Sequence, residues 1–226
     1  TAYDELFMSD NDVNGAQNEF IFTLNFDGMQ SQTYGGTTFL VHAAIGGTMN
    51  PNNFGVNGGW GGLRTTKGLV DKFSYSITSS NSDGEPLSWS DSRAMFHTDG
   101  QNYEMAKVGP FKEGYAVTKF KNINSAGGAG ADSSGNHVDT DLAIIRLAEV
   151  LLNYAEAHVR GGAGDSSTAA NYINQLRSRA SAPAINSSDL NVDLVMDERA
   201  RELYWEGHRR PDLIRDGKFV TSSYLW

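Results

Sequence analysis

The sequence predicts a mainly α protein of the α+β class, with a loop-rich region of short strands over 1–140 and a helical block over 141–226. Two observations lead to this prediction. Helix-length segments rich in Leu, Ile and Ala are concentrated after position 140, where Gly161-Gly162 and Pro183 separate them. Before position 140 the chain is rich in Gly, Asn and Ser, and its apolar runs are short.

The helical block opens with two predicted helices. The first covers 141–160 with Asp141 as its N-cap, and its apolar residues point in several directions, which predicts burial on most sides. The second runs from Thr168 to Arg179 and is capped by Ser166 or Ser167. A helix that is apolar nearly all round needs neighbours, so we expect these two helices to pack together.

A third helix is predicted from Val192 to Glu206, and it carries three acidic residues at a spacing of four: Glu198, Glu202 and Glu206. Like charges at this spacing line one stripe of a helix and destabilise it unless cations lie nearby. We predict that two basic residues just past Gly207 supply those cations. They are Arg209 and Arg210, and Pro211 after them opens a short helix over 212–216.

Strands are predicted where apolar and polar residues alternate in the loop-rich region. The clearest is 19–26, and shorter strands are expected at 103–105 and 115–120. A helix-like segment is expected from Thr66 to Phe73, and the glycine-rich run 127–135 is interpreted as a flexible linker.

The segment Asp10 to Gly15 has the oxygen spacing with which a calcium-binding loop begins. The twelfth position of such a loop requires a bidentate Glu, and here it is Ile21. A solvated turn is therefore the favoured interpretation, with calcium as the alternative.

Residues 27–63 form a long stretch of Gly, Asn, Thr and aromatic residues with almost no charge. Long loops in compact domains are often functional. A sugar ring stacks its apolar face on flat aromatic side chains, while amides and other polar groups bind its hydroxyls. We interpret Trp60 as a core residue, whereas Tyr34 and Phe54 are equally compatible with exposure to solvent and with a local core. Trp89, outside this stretch, is a further stacking candidate or a half-buried loop residue. The candidate ligand-binding residues are Tyr34, His42, Asn52, Asn53, Phe54 and Trp89.

Three segments of the C-terminal block together resemble the signature of the SusD/RagB family: Ile145–Ala157, Asn174–Arg179 and Glu198–Arg215. Weaker similarity runs upstream through 58–73, 91–93 and 117–120. The three segments match in order and spacing, so the resemblance is specific. It covers the C-terminal part of a family member.

Membership of this family would imply a surface glycan-binding lipoprotein that delivers a polysaccharide or oligosaccharide to a TonB-dependent, SusC-like outer-membrane transporter. It also implies helix pairs of the tetratricopeptide type and a location at the cell surface, on the outer membrane. Family members are longer and carry a lipid anchor on an N-terminal cysteine. We therefore expect an N-terminal half to be missing from this sequence.

Composition and motifs argue against other functions. The net charge of −9 disfavours nucleic acid as a partner, and the absence of cysteine excludes disulfides and thiolate metal sites. The five histidines lack metal-ligand spacing, no cofactor is expected, and the chain is predicted not to be an enzyme. Two carboxylate pairs could in principle serve a glycosidase, but ion-pairing or capping roles explain them: Glu198 with Glu202, and Asp139 with Asp141.

A protein-interaction scaffold without its own sugar site is the alternative function. Small residues at 148, 155, 157, 169 and 170 allow the close helix packing of tetratricopeptide-type pairs. No repeat of 34 residues is visible in the sequence, so this alternative depends on the family resemblance.

Overall fold

The computed structural model describes residues 1–221. Its six helices within that range are α1 (Gly36–Ala43), α2 (Lys67–Val70), α3 (Leu147–Val159), α4 (Ser166–Arg179), α5 (Val192–Leu203) and α6 (Arg209–Arg215). Its strands are β1 (Phe20–Leu24), β2 (Arg64–Thr65), β3 (Ile77–Ser80), β4 (Pro86–Trp89), β5 (Phe96–His97), β6 (Tyr115–Val117) and β7 (Leu142–Arg146). The mainly α prediction is confirmed.

The strands form three small antiparallel sheets, β1–β7, β2–β6–β5 and β3–β4. The first sheet pairs residues far apart in sequence, with Phe22 opposite Ile145 and Leu24 opposite Leu142. This pairing brings the N-terminal region directly beside the start of α3.

Three apolar clusters hold the described residues together. The largest gathers Tyr3, Leu6, Val41, Ile45 and Phe120 from the loop-rich region. The second lies among α3, α4 and α5, where small residues such as Ala148 and Ala155 let the helices approach closely. The third, around Phe73, Val117 and Tyr204, joins the three-stranded sheet to the end of α5.

The predicted first helix is wrong over its first residues. Residues 142–146 form β7, and α3 begins at Leu147 after Arg146, whose backbone is extended. Asp141 is not an N-cap, because its carboxylate accepts a hydrogen bond from the Phe26 amide at 2.8 Å. Long-range pairing with β1 thus overrides the local helical pattern.

The boundaries of the later helices also differ from prediction. Helix α4 is capped by Asp165, whose carboxylate accepts from the Thr168 amide at 2.8 Å, and not by Ser166 or Ser167. Helix α5 stops at Leu203, three residues early. Helix α6 begins at Arg209, ahead of the expected proline start.

The loop-rich region contains more regular structure than expected. Helix α1 lies within the stretch interpreted as a long loop, and β3, β4 and β5 were not predicted. The helix-like segment 66–73 is divided into α2 and a 3-10 helix over Asp71–Ser76. No strand forms at 103–105, whereas β1 and β6 lie where strands were predicted.

The glycine-rich run 127–135 is held by hydrogen bonds from backbone amides to two carboxylates, and it is not a free linker. Asp139 accepts hydrogen bonds from the amides of Gly28 and Ala131, at 2.8 and 2.6 Å. The carboxylate of Asp132 accepts from the amides of Ser134 and His137. Carboxylates that accept several amide hydrogen bonds fix a loop in one conformation.

The three acidic residues predicted to form one helical stripe are buried, although Glu206 lies beyond the end of α5. Glu198, Glu202 and Glu206 are all less than 8% exposed. The prediction that Arg209 and Arg210 supply the cations is wrong, since Arg209 donates to the Met196 carbonyl and Arg210 lies over the Phe219 ring.

The cations that contact these acidic residues come from several segments of the chain, including α5 itself. They are Arg93, Lys119, Arg146, Arg177, Arg179 and Arg201. Distances are short, for example 2.7 Å from Arg93 Nη1 to Glu198 Oε1 and 2.6 Å from Lys119 Nζ to Glu206 Oε1. The network therefore ties the helical block to the strands and loops that precede it.

Candidate functional site

Three aromatic rings form an exposed cluster on the surface of the loop-rich region. Tyr34 is 62% exposed, Trp60 45% and Phe39 44%. The ring centroid of Trp60 lies 6.2 Å from that of Tyr34 and 6.1 Å from that of Phe39. Exposed rings in mutual contact offer flat apolar area to a ligand, and we name this cluster, Tyr34, Phe39 and Trp60, the aromatic platform.

A buried histidine supports the platform from inside. The imidazole of His42 is parallel to the indole of Trp60, with centroids 4.8 Å apart and 15° between the planes. The same two residues are joined through the backbone, because the Trp60 amide donates to the His42 carbonyl at 2.8 Å. Helix α1 carries both Phe39 and His42, three positions apart, so one turn of helix positions two parts of the site.

His42 is itself fixed by two backbone carbonyls. Its Nδ1 lies 2.7 Å from the Gly58 oxygen and its Nε2 lies 3.1 Å from the Asn136 oxygen. The residue is only 2% exposed. Both ring nitrogens are thus occupied within the protein, and His42 acts on the surface through Trp60 above it.

The segment 132–137 forms one side of the site. The ring of His137 lies 5.0 Å from that of Tyr34, and its Nδ1 is 3.4 Å from the Asp132 carboxylate. Hydrogen bonds from the Ser134 side chain and from neighbouring amides lower the pKa of Asp132 to about 2. Asp132 is therefore ionised over the physiological pH range and keeps His137 beside the platform.

A polar cleft of ≈ 270 Å³ adjoins this segment, and we name it the amide cleft. It is lined by Asn52, Asn57, Asp132 and Ser134 together with several glycines. Asn57 donates to the Ser134 carbonyl at 2.7 Å and to the Asn136 side chain at 2.6 Å. Because His42 also contacts Asn136, the amide cleft and the aromatic platform share one supporting residue.

The structure brings some of the predicted site residues together and leaves others apart. Tyr34 is in the platform, His42 is below it, and Asn52 lines the cleft. Asn53 is exposed beside Asn52 in a 3-10 helix, whereas the next residue, Phe54, packs against the largest core cluster.

Trp89, on β4, is packed edge-on against Phe96 and Tyr115, at centroid distances of 5.3 and 6.5 Å. It belongs to a different cluster from the aromatic platform. As ligand contacts, all six residues remain predictions.

Three residues of the candidate site were not predicted from the sequence: Phe39, Trp60 and His137. Trp60 was interpreted as core and is nearly half exposed. A signal for Phe39 was available, because its spacing of three from His42 places the two side chains on one helix face once α1 is known. His137 lies ~100 residues away from Tyr34 in sequence, and only the tertiary fold pairs them.

The four carboxylates that were considered for catalysis take part in structural contacts. Glu198 and Glu202 are buried in ion pairs, and Asp139 and Asp141 accept backbone hydrogen bonds. Burial alone would raise the pKa of Glu206, but Arg146 and Lys119 outweigh it and lower that pKa to about 2. Burial lowers the pKa of Lys119 to about 8, despite the opposing effect of Glu206.

Within residues 1–221, no three His, Cys, Asp or Glu side chains are grouped as metal ligands would be. In the segment that opens like a calcium loop, the Asp10 carboxylate accepts from the Ser125 amide and from Asn14. Among the helices described, none has the length and apolar character needed to cross a membrane.

Comparison with known proteins assigns the class and then the family. In the described residues the architecture is a helical block with small sheets and an exposed aromatic surface, and the fold is that of SusD-type proteins. A model of the SusD family matches residues 97–224, and the chain belongs to that family. Tyr34, Phe39, His42 and Trp60 lie before the matched range, and His137 lies within it.

Two curated relatives match. The starch-binding protein SusD of Bacteroides thetaiotaomicron is 32% identical over 260 aligned residues, covering 100% of this chain and 46% of SusD. The SusD-like protein P38 of Formosa agariphila is 30% identical over 134 residues, 54% of this chain and 25% of P38. The chain thus spans less than half the length of these relatives.

Solved structures share the fold. A SusD homologue from Bacteroides thetaiotaomicron has a TM-score of 0.63 at 22% identity, over 96% of this chain and 41% of its own. A laminarin-binding SusD-like protein has a TM-score of 0.62 at 20% identity, and the match covers 96% of this chain and 45% of that protein. Identities this low establish the fold alone.

Proposed function

We propose that this chain binds a polysaccharide or oligosaccharide at the outer-membrane surface and delivers it to a TonB-dependent, SusC-like transporter. The observation that carries the proposal is the aromatic platform with His42 stacked beneath Trp60. Two relatives support it, since one is named for starch binding and one solved structure for laminarin binding. Binding without catalysis is proposed because the candidate acid–base carboxylates are engaged in structural contacts.

In this proposal the platform holds the apolar face of one or two sugar rings. Tyr34 and Trp60 stack on the rings, and Phe39 extends the same surface. The amide cleft binds hydroxyls of neighbouring sugar residues through Asn52. The exposed side chain of Asn53, the next residue in the chain, is proposed as a further hydroxyl contact. A ligand that uses both is an extended oligosaccharide, because the cleft and the platform are separate sets of residues that are joined through Asn136.

Native affinity electrophoresis tests the proposal. The chain is run through gels that contain starch, laminarin or other polysaccharides, and each gel is assayed for new reducing ends. We expect retardation by at least one glucan without new ends. Retardation by none of the glycans would refute binding by this chain, and new reducing ends would refute a purely binding role.

Variants then assign the contacts. Tyr34→Ala and Trp60→Ala should each clearly reduce retardation, and Phe22→Ala, which removes a similarly exposed ring elsewhere, should leave it unchanged. The predicted contacts Phe54 and Trp89 are tested in the same gels by alanine substitution. Loss of binding in Phe22→Ala as well would show that the effect is not specific to the platform.

A scaffold function is the second candidate, and one observation favours it. Six large apolar residues from β1, β7 and α3 are exposed: Ile21, Phe22, Leu24, Ile145, Leu147 and Val150. Phe22 and Ile145 are opposite each other in the sheet, and Leu147 and Val150 are three apart on α3. An exposed apolar surface of this kind is typical of protein–protein contacts.

Co-purification with a SusC-like transporter separates the two functions. Capture of the transporter by a chain that shows no retardation on any glycan would favour the scaffold. Capture together with glycan retardation would support delivery, and we expect Leu147→Ser to weaken capture without affecting retardation.

A further inference from the structure

The aromatic platform and the amide cleft are built from two segments of the chain that contain no Lys or Arg. Every residue of both lies within 1–63 or 122–145, and all 18 Lys and Arg residues of the chain lie in 64–121 and 146–226. The side chains that form the candidate glycan site therefore include no permanent cation.

Three carboxylates are gathered around Gly28, next to the amide cleft. The Gly28 amide donates to Asp139 Oδ1 at 2.8 Å, and a Cβ atom added to Gly28 would lie 3.2 Å from the Cβ atom of Asp132. Asp27 precedes Gly28 in the chain and is exposed. Asp132 lines the cleft, and Asp139 lies against its wall at Gly130, where an added Cβ atom would be 2.5 Å from the Asp139 carboxylate. These positions give the cleft a negative potential.

The three carboxylates have no Lys or Arg as an ion-pair partner among the described residues. Asp139 accepts from the Ala131 amide, and Asp27 accepts from the amide of Met29. Asp132 accepts from backbone amides and from a serine hydroxyl, and its one charged neighbour is the imidazole of a histidine. Hydrogen bonds of this kind hold a carboxylate in place, but an amide or a hydroxyl carries no net charge with which to neutralise it.

The cation nearest to the platform in sequence is held by the backbone. Arg64 follows Trp60 by four positions, and its guanidinium donates to four backbone oxygens, those of Gly62, Val108, Pro110 and Glu113. Within residues 1–221, no Lys or Arg lines the amide cleft or lies over a ring of the platform. An anionic ligand would thus lose water at this site without gaining an opposite charge.

We infer that the site selects glycans built from neutral sugars and rejects glycans that carry carboxylate or sulfate groups. This inference rests on the proposed glycan-binding function and adds the charge class of the ligand. A neutral sugar needs only the aromatic rings and the amides, whereas an anionic sugar meets like charge from Asp27, Asp132 and Asp139. Repulsion of the wrong ligand gives specificity without any additional contact to the right one.

Calorimetry with three forms of one glucan chain tests the inference. The probes are maltoheptaose and laminariheptaose, each in its native form, with one terminal residue oxidised to the C6 uronic acid, and with that acid converted to the uronamide, its neutral isostere. For the glucan that binds, we expect the acid to bind at least about fivefold more weakly than the amide at about 20 mM salt. The difference should shrink at about 0.5 M salt, because salt screens the repulsion.

The outcomes separate this inference from the proposed function. Equal affinities of the acid and the amide, or tighter binding of the acid, would overturn the inference and leave glycan binding standing. Absence of binding by all three forms of both glucans would refute glycan binding by this chain, and the inference with it.

A matched pair of variants at Gly58 supplies a cation to the site. A Cβ atom added there meets no atom within 4 Å, and the Gly58 carbonyl contacts His42 below Trp60. Gly58→Lys should raise the affinity for the acid relative to the amide several-fold, whereas Gly58→Gln, of similar length but uncharged, should leave that ratio unchanged. Each variant is first compared with the parent chain by circular dichroism. An unchanged ratio in a folded Gly58→Lys chain, or the same change in Gly58→Gln, would overturn the inference.

Discussion

The indole of Trp60 stacks on the imidazole of His42 at 4.8 Å, while the Trp60 amide donates to the His42 carbonyl. Ring and backbone contacts between the same two residues leave the indole little freedom. A rigid aromatic surface loses less conformational entropy when a ligand binds, so the pairing favours recognition as well as folding.

Truncation of the platform should weaken glycan binding. We expect Tyr34→Ala and Trp60→Ala each to lower affinity for a bound glucan oligosaccharide about tenfold, roughly 1.4 kcal/mol, because each removes one stacking surface. Calorimetry with the oligosaccharide measures the change. Phe22→Ala is the matched control, and an unchanged affinity in the Trp60 variant would exclude the platform as the site.

Two replacements of His42 should distinguish the effect of its hydrogen bonds on stability from the effect of its ring on glycan affinity. His42→Phe keeps a flat ring beneath Trp60 but loses the contacts to Gly58 and Asn136, and we expect a stability loss of about 1–2 kcal/mol with most glycan affinity retained. His42→Ala removes the ring as well and should lose both stability and affinity. Urea unfolding and calorimetry measure the two effects. Equal affinity in the two variants would show that the stack does not hold the platform.

Removal of one buried carboxylate charge should destabilise the whole chain. Glu202 contacts Arg93, Arg146 and Arg179, so Glu202→Gln leaves buried cations under-compensated. We expect a loss of about 3–5 kcal/mol in the free energy of unfolding.

A surface ion pair on the same helix is the control for that change. Asp193 is exposed and pairs with Lys218, so Asp193→Asn should change stability by less than about 1 kcal/mol. Denaturant unfolding of both variants gives the comparison. Similar losses in the two would mean that the buried network contributes no more than an exposed pair.

Stability should fall in acid as the network protonates. The pKa of Glu206 is about 2 in the folded chain, against an ordinary value of 4.5. A depressed carboxyl pKa contributes stability that is complete above the ordinary value and is lost as the pH falls from about 4.5 towards 2. The pKa values of Glu198 and Glu202 are shifted in the same direction.

The free energy of unfolding, measured from pH 7 to pH 3, should therefore decrease below about pH 4.5. Glu206→Gln, which lacks the titrating group, should be less stable at neutral pH and show a shallower decrease. A variant with the same slope as the parent chain would contradict the assignment of this pKa shift to Glu206.

The sequence predicted the fold class and the helical block because these depend on local pattern. It misassigned residues 142–146, whose apolar pattern continues into α3 and whose strand form depends on β1, more than a hundred residues earlier. It also missed α1, where Gly36, Thr37 and Thr38 give a weak helical signal. Elements defined by distant partners cannot be read from their own residues.

Only part of the candidate site could be predicted from the sequence, because the exposure of its residues also depends on distant segments. The glycine-rich stretch 27–63 contains the three rings of the aromatic platform, and Tyr34 is exposed. Whether an aromatic residue such as Phe54 or Trp60 faces solvent depends on which segments cover it. Position 60 was assigned to the interior and position 54 was left open, because the covering segments come from as far away as residues 111–137.

Glu202 contacts three arginines that come from both sides of position 140. Arg93, Arg146 and Arg179 come from a loop, a strand and a helix on both sides of position 140, and Glu19 bridges two of them. Separating 1–140 from 141–226 would leave unpaired ions in both pieces. Burying an ion without a partner is strongly unfavourable, so these parts of each piece would not stay buried. We therefore expect the two regions to melt in a single cooperative transition, and neither to be an autonomous folding unit.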